Sequence, residues 1–200
     1  MQRPSPSAEP FAALSLPELE EAAGELVRRI AVALRALGEA GADDAPAGDQ
    51  SERGSDGTPR LQVAQLAALL ELAAASLAAA EAARPGALGS KAAPAASDAA
   101  GAAQTKALAM GVMYAAPTVD SLLSRLEQDR RLLASLTRGL EPRLDERHAT
   151  PLGTIELRAL VAEIAIAEPA RTAQALERVG SARREAELAA AEAATETERC

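Results

Sequence analysis

Few residues in this chain could do chemistry, and their spacing decides against most reactions. The one histidine, His148, stands in EPRLDERHATP, among charges and between candidate helices. A metal site or a nucleophilic triad needs several donors converging on one point, and this sequence offers no second His and no serine elbow. His148 reads as a solvated loop residue. Carboxylates are plentiful, but Glu20–Glu21, Asp43–Asp44 and Asp145–Glu146 are chain neighbours, which point apart on a helix and so make no acid–base pair. The stretch GALGSKAA (86–93) departs from the G-x-x-x-x-G-K-[ST] spacing of a phosphate loop, and no strand precedes it. Cys200 is the only cysteine and the last residue. It can form no intramolecular disulfide, does not match the prenylation pattern, and reads as an exposed thiol. Ser5–Pro6 and Thr58–Pro59 fit the minimal proline-directed phosphorylation pattern. These residues predict a protein that is not an enzyme, with no catalytic group, no cofactor and no metal.

The elements that would carry such residues are helical. Of 200 residues 48% are hydrophobic, yet only 1% are aromatic: Phe11 and Tyr114. About a quarter of the chain is Ala, which buries little area, so a core must come from Leu, Ile and Val. Ala, Leu, Glu and Arg dominate, and no period-2 run of useful length appears. Net charge is −8. An acidic chain without interleaved rings lacks both the cationic surface and the stacking platforms that nucleic acid requires.

Residues 1–14 read as a disordered tail. Ser15 and Glu18 then form an S-x-x-E capping box for a helix over 15–40, with Leu14 and Leu19 at the staple positions and Gly38 and Gly41 marking its end. Residues 41–57 are a polar linker rich in Gly, Asp and Ser. Thr58 caps a second helix, 58–84, with Pro59 at its first position. Its apolar window, 61–83, is long enough to span a bilayer, but Glu71 and Glu81 interrupt it, so a buried helix is expected rather than a transmembrane one. A low-complexity linker covers 85–106. The helical region 107–198 divides into helices at about 107–140, bent at Pro117, at 151–168 behind a Thr150 cap, and at 171–196. The fold expected is all-α: an elongated, coiled-coil-type bundle of four to five helices with long disordered linkers.

Two stripes hold alternating spacings of three and four. One runs through Leu16, Leu19, Ala23, Leu26, Ile30, Ala33 and Leu37, its large members Leu16, Leu19, Leu26, Ile30 and Leu37 being the candidate interface. The other runs through Val119, Leu122, Leu126, Asp129, Leu133, Leu136 and Leu140. Asp129 is charged where the pattern asks for an apolar side chain. A buried, unpaired carboxylate costs several kcal/mol, on the order of 3–5, so Asp129 is expected to meet a cation at a helix–helix contact, with a partner chain rather than within this one. Arg125, four residues earlier, is the intrahelical candidate, and Glu127–Arg131 is the better-ordered pair on the outer face. The reading is a scaffold or adaptor subunit of a protein complex, binding amphipathic helices of partner proteins through its Leu stripes. An amphipathic coat on a lipid or polymer surface and a self-contained monomeric bundle are the alternatives. No nucleic acid and no transmembrane segment are expected. The N-terminus has no basic region followed by an apolar run, so no secretory signal and an intracellular place, cytoplasmic or nuclear, are expected.

Overall fold

Three of the long helices begin where a side chain can satisfy a free N–H near the first turn. In α1 (Leu16–Asp43) the Glu18 carboxylate accepts from the Ser15 N–H at 2.8 Å and from its hydroxyl at 2.6 Å. In α2 (Pro59–Ala82) the Thr58 hydroxyl accepts from the Leu61 N–H, and Pro59 occupies a position whose N–H has no helical partner. Next come α3 (Asp98–Ala115) and α4 (Val119–Gly139), the latter capped by Thr118, whose hydroxyl accepts from the Ser121 N–H. A 3-10 turn (Glu141–Arg143) leads to a hairpin of β1 (Arg147–Thr150) and β2 (Gly153–Glu156), paired antiparallel with His148 opposite Ile155. Then α5 (Leu157–Ala162) and a π-helical segment (Glu163–Ala167) run into α6 (Glu168–Thr197). The computed structural model describes residues 14–44, 57–82, 98–150 and 153–197.

Ion pairs and side chain–backbone bonds fix the helix directions. Arg138–Glu20 at 2.6 Å and Arg35–Asp120 at 3.0 Å lay α4 antiparallel to α1. Arg125–Glu71 at 2.6 Å, with Arg143 donating to the Ala80 carbonyl, lays α4 parallel to α2. Arg29–Glu177 at 2.9 Å and the Arg183–Leu37 carbonyl bond lay α6 parallel to α1. Arg60, in the first turn of α2, donates to the Pro117 carbonyl between α3 and α4, so α3, which lies along α2, runs antiparallel to it. The core is shared: Ile30 and Leu34 from α1, Leu66, Leu70 and Leu77 from α2, Leu122, Leu126 and Leu133 from α4, and Leu157 and Leu160 from α5 are fully buried. Ala64, Ala67, Ala73 and Ala74 are buried too; their small side chains let neighbouring helices approach α2 closely. It is the one described helix long and apolar enough to cross a membrane, and 67% of its apolar window is buried inside the bundle.

The all-α reading holds, with local corrections. The helix expected at 151–168 is instead a hairpin, then α5, then the π segment. Strand-favouring Thr150, Thr154 and Ile155 flank a two-residue connection there, so Thr150 is a strand residue and not a helix cap. The π segment also carries the helix through Pro169, where an end was expected. Pro169 has no N–H, and the wider turn lets the Glu168 N–H bond the Glu163 carbonyl. The bent helix expected at 107–140 is two helices. Pro117 supplies no donor, the Thr118 N–H goes to the Ser121 hydroxyl, and α4 starts afresh. Residues 98–106, expected in a linker, belong to α3, and α1 continues to Asp43 through a kink at Gly38, where φ is +68°. The rest of the expected linkers, 45–56 and 85–97, residues 83–84 of the expected second helix, and residues 1–13 of the expected tail lie outside the described residues, as does Cys200.

Candidate interaction surface

The two stripes face inward. Leu16, Leu19, Leu26, Ile30 and Leu37 are buried, as are Val119, Leu122, Leu126, Asp129, Leu133 and Leu140; Leu136 is half-buried against the same core. They were expected to meet a partner chain. This chain's own helices already cover them: α4 packs chiefly against α2, and α1 packs against α6 and α4 as well as α2.

Asp129 shows how its charge is accommodated. Its carboxylate is 3.1 Å from Arg125 Nε one turn earlier on α4, and the same guanidinium reaches Glu71 of α2 at 2.6 Å. Its cation is therefore internal, contrary to the expected contact with a partner chain, and the guanidinium ties α4 to α2. Desolvation pushes the Asp129 carboxyl up to about 6, against the pull of Arg125 and with a further push from Glu71. On the outer face Glu127 takes Arg130 and Arg131, at 2.8 and 2.7 Å, and these bonds hold it down at about 2.

A second ionic hub went unread in the sequence. Arg60 is 5% exposed. Its guanidinium bonds Asp43 at 2.7 Å, Glu39, and the Pro117 carbonyl. Glu39 also accepts from the Val119 N–H at 2.8 Å, and this bond, then Arg60, lowers its pKa. The end of α1, the start of α2 and the start of α4 are thus held at one point. The signal available was a Thr-Pro-Arg opening facing an acidic helix end, but nothing in their spacing shows that they meet. His148 is likewise not a loop residue: it lies in β1, its ring 3.1 Å from Glu146, which also holds Arg143. Among the described residues no group of three or more His, Cys, Asp and Glu is placed to hold a metal.

The outer surface is where apolar residues lack cover. Tyr114 is 91% exposed and Met110 55%. They are four residues apart, and with exposed Ala107 and Ala103 they make one stripe at spacings of four, three and four along α3. The opposite face of the helix, with Ala109 and Val112, is buried. Val32, Leu132 and Leu188 are the other exposed large apolar side chains among the described residues, and they sit on three different helices. The far end of α6 is exposed on every side from Ala182 to Thr195, as its scarcity of large apolar residues foretold. Comparison with protein-family models, with curated proteins and with solved structures finds no match to this chain.

Proposed function

We propose that this protein is a non-enzymatic helical adaptor whose docking surface is the outer face of α3. The single observation behind this reading is Tyr114. It is one of two aromatic residues in the chain, and it stands 91% exposed beside exposed Met110 on a helix whose other face is buried. Adjacent exposed apolar side chains on one helical face suit an amphipathic partner helix, which would cover them at i, i+4 spacing. The Leu stripes then serve the scaffold, and α3 serves the partner.

A photo-cross-linking amino acid at position 114 of the full chain tests this, with position 124 on the exposed side of α4 as control. In the source cell's extract, light should join position 114 to a protein, a second copy included, while position 124 stays free. Equal labelling at both positions, or none at 114, overturns the reading.

A further inference from the structure

Resting on the reading of α3 as a docking face, we infer that its partner is α3 of a second copy of this chain, laid antiparallel across a two-fold axis. The stripe is polarised by size. Small Ala103 and Ala107 occupy its N-terminal half, and large Met110 and Tyr114 its C-terminal half. A two-fold contact places the same patch on both sides. Antiparallel pairing centred between Ala107 and Met110 therefore sets each Tyr114 over the partner copy's Ala103, and each Met110 over its Ala107. Parallel pairing would put bulk on bulk and leave the small half unfilled.

Charge points the same way. The chain carries a net charge of −8, so most of its surfaces repel a second copy. Yet from 103 to 115 α3 has no acidic residue, and Lys106 is its one charge. In the antiparallel arrangement Lys106 lies level with Gly111 of the other copy, about one turn short of the end of that α3. The carbonyls there have lost their usual donors. Pro117 has no N–H, the Thr118 N–H goes to Ser121, and the Val119 N–H goes to Glu39. The negative end of that helix thus meets an ammonium group that can reach it. Gly111 flanks the stripe, and beyond the local backbone of its own helix and its chain neighbours nothing lies within 4 Å of where its Cβ would stand, so the space beside it is open to a neighbour. One helix face is a small interface, at the low end of the size range for specific contacts, so the dimer should be weak and concentration-dependent.

Sedimentation of the purified full chain over a wide concentration range tests this, with Tyr114→Arg, Lys106→Glu and Gly111→Leu alongside. All three positions are exposed, so unchanged helical content and melting would show that the fold is kept. The wild type should shift from monomer to dimer as concentration rises, and each variant should need at least tenfold more protein. In a Cys200→Ser background, a short bis-maleimide should join Ala107→Cys chains and leave Ala103→Cys chains apart, because only position 107 lies near the axis. A wild type that stays monomeric, a dimer indifferent to all three variants, or equal joining at 103 and 107 overturns the proposal. Light-induced adducts from position 114 with a different protein, beside a strictly monomeric chain, would sink the second copy and leave the docking face standing. No adduct of any kind would sink both.

Discussion

Arg125 and Asp129 are bonded within one turn of α4, Nε to Oδ2 at 3.1 Å, with Asp129 buried and Arg125 at the solvent edge. The same Arg125 bridges to Glu71, so one guanidinium serves two carboxylates and one of them is buried. This is a compromise: Asp129 stays in place, but its ionised form is disfavoured.

That compromise has a pH signature. The Asp129 carboxyl ionises at about 6 in the fold, against an ordinary 3.8. Its folded pKa is raised, so its unfavourable contribution is full above pH 6 and relieved as pH falls toward 3.8. Between pH 7 and pH 5 this group should add about 1 kcal/mol to stability. Asp129→Asn should be at least as stable as wild type at pH 7 and should lose that rise, as measured by denaturant titration at each pH. Below pH 4.5 Glu127 acts oppositely. Its pKa is held at about 2, so its stabilisation is present above 4.5 and lost as pH falls. An Asp129→Asn variant that keeps the wild-type pH dependence would show that Asp129 does not cause it.

Arg60 is expected to matter more than any surface ion pair. Its partners Glu39 and Asp43 can rehydrate when it is removed, since their side chains are 58% and 57% exposed. The Pro117 carbonyl and the junction of three helices lose their tie. Arg60→Ala should cost about 2 kcal/mol, whereas Arg28→Ala, whose pair with Glu25 is well exposed, should cost about 0–0.5 kcal/mol. Thermal melts of the two variants decide it; equal small shifts would demote the Arg60 hub to surface decoration.

Gly38 carries φ +68° and ψ −179° inside α1, a region essentially confined to glycine that costs a side-chain-bearing residue about 1–3 kcal/mol. Gly38→Ala should destabilise by that much although its Cβ would meet nothing within 4 Å. Gly41 differs. A Cβ there would stand against the Arg183 guanidinium, which reaches the Leu37 carbonyl across the kink, so Gly41→Ala acts by displacing Arg183. Adding Arg183→Ala should relieve Gly41→Ala and leave the Gly38→Ala deficit as it was, which unfolding curves of the paired variants would show.

Much of the fold could be read in the sequence because it is encoded locally. Ser15 with Glu18, and Thr58 before Pro59, set helix starts through residues at most three positions apart, and the 3–4 spacings set the buried faces. Where a local sign was ambiguous, the reading failed. Thr150 before a proline suits a helix start as well as the end of a strand, and pairing of 147–150 with 153–156 decides it. Pro117 suits a bend as well as a break, and Thr118 with Ser121 tips the choice. What a stripe packs against is not local at all. Leu126 and Leu133 look the same whether α2 or another chain covers them, and the distant contacts of Arg60 and Glu71 leave no periodic mark. The exposed face of α3 was missed because Ala103 falls in the expected linker, and nothing local tells Ala107, Met110 and Tyr114 from core until the other side of the helix is seen to hold Ala109 and Val112.

Amide hydrogen exchange of the isolated chain tests most directly whether α4 is held by its own chain. Amides from Leu122 to Leu133 should exchange as slowly as those around Leu66 to Leu70 in α2, with one shared opening free energy, because both helices line the same core. If α4 instead exchanges many-fold faster than α2 in the isolated chain, and slows only when another chain is bound, then its Leu stripe is a docking surface and not part of a private core.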